Sequence, residues 1–162
     1  MKEDRDAISL AAELFQQAYE SQMQGKLDDA IDLYKRSIEM YATAEVHTFL
    51  GWTYSFQGRL DEAIEECHKA IAVDPDFGNP YNDIGAYLIQ KGQFDEAIPW
   101  LRRAMEAKRY EARAYPHMNL GRVWEHKGRV WDAMREYRRA LAEAPKYQEA
   151  YIALKRLESQ LN

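Results

Sequence analysis

Four histidines and one cysteine are the side chains of this chain best suited to act as acid, base, nucleophile or metal ligand at neutral pH. They do not assemble into a reactive set. His68 follows the Glu65–Glu66 pair, and His126 stands near the end of a helical stretch, where a cation suits the macrodipole. Neither has a companion at metal-ligand spacing. Cys67 is alone, which excludes an internal disulfide and a cysteine-rich metal site. A small buried filler is the reading its surroundings favour, with a reactive thiol as the alternative. No His-Glu-x-x-His, Gly-x-x-x-x-Gly-Lys-Ser/Thr or Gly-x-Ser-x-Gly motif occurs. The expectation is a protein that is not an enzyme, with no catalytic residues, cofactor or metal.

The elements that hold these residues are announced by repetition. Gly25-Lys-Leu-Asp-Asp-Ala-Ile, Gly58-Arg-Leu-Asp-Glu-Ala-Ile, Gly92-Gln-Phe-Asp-Glu-Ala-Ile and Gly128-Arg-Val-Trp-Asp-Ala-Met follow one another with their glycines 33, 34 and 36 residues apart. A period of this size marks an array of supersecondary units. Each copy reads as a helix-turn-helix joint. The Gly ends one helix in a left-handed conformation, the Asp caps the next, and the Ala marks a close crossing of two helices. Tyr81, Ile84, Gly85 and Leu88 lie before Gly92 at helical spacing, and Phe94, Ala97, Leu101 and Ala104 follow it.

On these residues the chain resembles the tetratricopeptide repeat family. With each joint glycine at position 15 of a unit of about 34 residues, the repeats run over about 11–43, 44–77, 78–113 and 114–147. Position 8, small in the family, holds Ala18, Gly51, Gly85 and Gly121; position 20 holds Ala30, Ala63, Ala97 and Ala133; position 27 holds Ser37, Ala70, Ala104 and Ala140. Position 32, often Pro, is Pro75 and Pro145 in two units but Ala42 and Arg109 in the others. The first repeat is one residue short and the third two residues long. The Pro/Gly-rich stretch Asp74–Pro80 falls at a repeat boundary. The resemblance implies an all-α, right-handed α-solenoid of four helix-turn-helix repeats in a single domain over residues 1–162. A stack needs a cover at its end, and Tyr147, Ala150, Tyr151, Leu154 and Leu157 make an apolar stripe for a capping helix at about 147–161. His47 and His117 share position 4, two repeats apart, which suits packing against the partner helix rather than a shared metal.

The same resemblance implies that the first helix of each repeat lines a concave groove for a protein or peptide ligand. Carried over by position, the groove residues are Phe15, Tyr19, Trp52, Phe56, Asn79, Asn82, Tyr115, Asn119 and Arg122, with Glu45, Asp83 and Glu125 also on this face. Rigid aromatics dominate binding energy, so Trp52 and Tyr19 are read as anchors; Phe15 and Phe56 either face a ligand or close over their neighbours. Asn82 and Asn119 suit a peptide backbone. Arg122 suits a carboxylate unless Glu125, three residues on, neutralises it. Family members that grip acidic chaperone tails carry a carboxylate clamp of Lys, Asn and Arg. Counted from repeat 1 its places hold Phe15, Tyr19, Phe49, Asn79 and Asp83, and from repeat 2 they hold Thr48, Trp52, Asp83, Tyr115 and Asn119. The clamp is absent.

Charge is unevenly spread. Residues 1–100 sum to −11 and residues 101–162 to +6, within a net charge of −5. The bland reading is a solvated outer face, on which Arg135, Arg138 and Arg139 would sit. The sharper one is a dipole that steers a partner or lets copies meet head to tail as a self-associating assembly subunit. Overall acidity disfavours nucleic acid as a ligand. The charged start and the lack of a long apolar run predict no membrane span or leader, and hence a cytoplasmic protein. The leading expectation is a non-catalytic interaction scaffold that holds a peptide or helix in its concave groove.

Overall fold

The computed structural model describes residues 1–161. Among them are nine α-helices: α1 Lys2–Met23, α2 Leu27–Met40, α3 Ala44–Phe56, α4 Leu60–Val73, α5 Asn79–Gln90, α6 Phe94–Glu106, α7 Ala114–His126, α8 Val130–Glu143 and α9 Gln148–Gln160. They form an all-α solenoid. Each odd helix packs mainly on the even helix after it, each even helix meets the next odd one, and α9 lies on α8. The odd helices α3, α5 and α7 also touch in succession, so they share one inner face. Helix α1 starts nine residues ahead of position 11, where the repeat pattern begins.

The crossing within each pair is set by two positions. Gly51, Gly85 and Gly121 on the odd helices face Cys67, Leu101 and Tyr137 on the even ones; these three are fully buried, as are Ala18 and Tyr34 at the equivalent positions of the first pair. A Cβ on Gly85 would lie 2.4 Å from the Leu101 side chain, and one on Gly121 would lie 2.2 Å from the Tyr137 ring. Where the facing residue is the smaller Cys67, the backbone itself closes in, and a Cβ on Gly51 would lie 2.9 Å from the Ala63 carbonyl oxygen. Burial pushes the Cys67 thiol well above its ordinary pKa, which makes it an inert filler.

The four joints are built alike. Gly25, Gly58, Gly92 and Gly128 have φ between 73° and 76°. Around Gly58 the amide of Gly58 donates to Ser55 O and that of Arg59 to Tyr54 O, a Schellman closure that recurs at the other three glycines. The expected Asp caps do not form. The even helices start one residue earlier, at Leu27, Leu60, Phe94 and Val130, and none of these four makes a side-chain cap bond. The aspartates sit inside the first turn, where they favour the dipole, and take a second role between repeats. Gln57 donates to Asp28, Lys91 pairs with Asp61 and Lys127 with Asp95, so each joint is tied to the one before it. In the last pair, which has no joint after it, this place holds Trp131, 66% exposed.

The two extra residues of the third repeat are also used. Arg109 pairs with Asp76 through its backbone, Gly78 N–H donates to Arg109 O, and the Arg109 side chain bridges Asp74 and Glu45. This loop delivers Tyr110, buried, against Gly78. At the far end α9 is held by Arg156, which pairs with Glu125 at 2.6 Å, and by Arg138, which pairs with Glu158.

Gly121→Ala should destabilise the fold by about 1–2 kcal/mol in urea unfolding, because displacing the buried Tyr137 ring outweighs the helix-propensity gain. An unchanged midpoint would show that the crossing has slack.

Candidate functional site

The inner face carries two zones. On α1 and α3 the aromatic side chains run as a ladder. Phe49 is its centre, with Phe15 edge-on at 5.1 Å, Tyr19 at 5.9 Å and Trp52 at 5.9 Å, and Phe56 lies 5.0 Å beyond Trp52. Phe15 turns into the cluster, 5.7 Å from Tyr34, and is half-buried. Tyr19, Trp52 and Phe56 stay 36%, 38% and 56% exposed. The ladder leaves a strip of neighbouring aromatic side chains in solvent.

On α5 and α7 the face is polar and ordered. The Asn119 side-chain amide donates to Asn82 Oδ1 at 3.0 Å, and Arg122 donates to Asn119 Oδ1 at 3.1 Å. Both asparagines are buried. This chain joins two repeats and leaves the exposed Arg122 guanidinium with donors to spare. Glu125 does not neutralise it. The hydrogen bond from Arg156 outweighs burial, and the Tyr137 hydroxyl adds to it, so the Glu125 carboxyl is held below its ordinary pKa and is paired toward α8 and α9.

Between the zones lies an open recess of about 450 Å³. Its walls are the rings of Phe49, Trp52, Tyr110 and Tyr115. Its polar groups are Thr48, Asn79, Asn82 and Asp83. Burial pushes the Asp83 carboxyl from 3.8 up to about 7, and the neighbouring Asn82 amide offsets this only in part. Tyr115, 52% exposed, also stands edge-on to Tyr147 and divides this recess from a second one along the 143–147 turn. Of the residues expected from position, Trp52, Asn79, Asn82 and Tyr115 line the recess, Tyr19 and Phe56 belong to the aromatic ladder, Asn119 and Arg122 to the polar chain, and Phe15 turns mainly to packing. Thr48, Asp83 and Tyr110 complete the recess. Only the length of the third repeat could have pointed to Tyr110.

The histidines are placed structurally. His47 Nδ1 lies 2.7 Å from Glu66, and His117 Nδ1 lies 2.7 Å from Glu136, each on the even helix of its own pair. Burial raises Glu66, but its bonds from His47 and Lys69 prevail and hold it below its ordinary value. In the third pair the same two positions hold Tyr81 and Trp100, whose rings pack 6.2 Å apart. His126 stacks on Phe94 at 3.7 Å, and His68 stands edge-on to Trp100. No helix among the described residues is long and apolar enough to cross a membrane.

Comparison with known proteins follows this geometry. Tetratricopeptide repeat family models match residues 44–77 and 82–148, together more than half of the chain. The chain is 30% identical over 78 residues to small glutamine-rich tetratricopeptide repeat-containing protein 2 of Mycosarcoma maydis; the match spans 48% of this chain and only 22% of that protein. Among solved structures it is similar in fold to PilF of Pseudomonas aeruginosa, with a TM-score of 0.88 at 19% identity, covering 96% of this chain and 70% of that one. It is also similar to YrrB, described as a tetratricopeptide repeat protein with an unusual peptide-binding site, with a TM-score of 0.72 at 17% identity, covering 91% and 75%.

Because the folded chain holds the Asp83 proton more tightly than the unfolded one, its carboxyl weakens the fold as pH rises from about 4 to about 7. The stability of Asp83→Asn relative to wild type should therefore climb over that window and level off above it, as read by urea unfolding at a series of pH values. A flat difference would place Asp83 in free contact with water.

Proposed function

Since the chain belongs to the tetratricopeptide repeat family, whose fold serves protein–protein interaction, we propose that it is a non-catalytic scaffold that holds a peptide or helix of a partner along its inner face. The observation that carries this is the juxtaposition of an exposed aromatic strip with an ordered polar chain on one surface. Trp52 and Tyr19 supply apolar anchors with little conformational freedom to lose. Arg122, oriented by Asn119 and Asn82, supplies donors for backbone carbonyls or a carboxylate of the ligand. The peptide-binding site of YrrB, on a similar fold, supports the reading. The clamp expected for acidic chaperone tails is missing, with Asp83 standing where a cation or amide would be needed.

A second reading, self-association through the ends, draws on a different observation. Helix α9 leaves Tyr151 and Ile152 54% and 62% exposed, and the overhang of α1 leaves Ile8 and Leu10 43% and 44% exposed. The acidic first part and basic last part of the chain would favour head-to-tail contact.

Peptides selected from a random library on the wild-type protein should bind Trp52→Ala more weakly by about 2 kcal/mol or more in fluorescence titration. Equal affinity for the folded variant would remove the anchor role. Static light scattering across a salt series should report a monomer throughout on the groove reading; a mass that rises as salt is lowered would favour end-to-end assembly instead.

A further inference from the structure

Three acidic side chains belong to the inner face by their position, and their surroundings differ. Glu45 is met by Arg109 at 2.8 Å and Glu125 by Arg156 at 2.6 Å. Asp83 has no cation within ion-pair distance among the described residues. Three arginines of the third and fourth repeats are engaged elsewhere: Arg109 spans Glu45 and Asp74, Arg113 donates to the carbonyls of Met105 and Ala107, and Arg122 donates to Asn119. Asp83 is also the only charged group lining the recess among the described residues.

Trp52 and Tyr115 are partly open to solvent, and Phe49 and Tyr110 line the recess with them. Aromatic faces attract cations, more strongly where water is thin. A carboxylate in such a place gains most from a group that brings the opposite charge, since attraction strengthens as the local dielectric falls. An apolar side chain would strip water from Asp83 without replacing it, and an acidic one would be repelled.

We infer that the recess around Asp83 seats a lysine or arginine side chain projecting from the segment held along the inner face. This rests on the groove-binding reading above and supplies the chemistry of its partner: an apolar or aromatic residue against Trp52 and Tyr19, followed by a basic residue in the recess between α3, α5 and α7. Arginine fits the recess in a second way, since its planar group stacks on rings while its forked donors reach a carboxylate. The buried Asn82–Asn119 pair keeps the floor rigid beside it.

The test uses random dodecapeptides displayed on phage and selected on the full chain. Enriched sequences should share a Lys or Arg at one place. Synthetic copies should lose about tenfold or more in affinity when that residue is replaced by Gln, and equally on Asp83→Asn, with no further loss when the two changes are combined. The peptide-side change reports on the seat whether or not the protein variant is perturbed. Enriched peptides without a basic residue, or with undiminished affinity for Asp83→Asn, would overturn the inference. If such peptides still weaken on Trp52→Ala, the groove reading stands and only the cation seat falls; if they ignore Trp52 as well, both fall.

Discussion

The close crossing of two helices within each pair governs everything built on it. Where Gly85 or Gly121 meets Leu101 or Tyr137, there is no volume for even one methyl group, so the facing side chain rests directly on the helix backbone. Such contact is stiff because interiors are packed like crystals and strain has nowhere to dissipate. The size of the facing residue adjusts the fit, from Tyr137 opposite Gly121 to Cys67 opposite Gly51. Four such crossings in one register make the odd helices line a single surface.

Rigid pairs alone would not hold a constant angle to one another. The turns contribute that through the ties from Gln57 to Asp28, Lys91 to Asp61 and Lys127 to Asp95. Exposed ion pairs are individually weak, yet these recur at equivalent places, and each resists a hinge at one interface. The buried His47–Glu66 pair and the partly buried His117–Glu136 pair act inside the second and fourth units. Trp131, standing where the tying aspartate would be, marks the place where the series of ties ends.

The inner face then divides its labour by helix. The aromatic residues on α1 and α3 present area, while α5 and α7 present oriented donors and one uncompensated carboxylate. Electrostatic pairing has already been settled for Glu45 and Glu125 by arginines from neighbouring elements, which leaves Asp83 as the inner-face acid with charge to offer. That contrast, rather than the overall acidity of the first hundred residues, defines which chemistry the recess favours.

Much of this was legible in the residues. Helix positions, joints, the burial of Ala30, Ala63, Ala97 and Ala133 and the family follow from short-range rules, because turn geometry and helical periodicity depend on neighbours along the chain. The expectation that Tyr19, Trp52, Phe56, Asn82, Asn119 and Arg122 line a groove came from the family resemblance, carried over position by position. Pairing between distant residues did not. The aspartates of the joints read as caps but serve as ties, since their partners lie 29 to 32 residues away. Glu125 read as a neutraliser of Arg122 but is drawn off by Arg156 and Tyr137. Tyr110 reaches the recess only because two extra residues fold back on the Asp74–Gly78 turn. The sequence by itself determined which residues are helical and which faces are apolar; only the tertiary structure decided which charges cancel, because a charge pairs with whatever packing brings within a few ångströms of it.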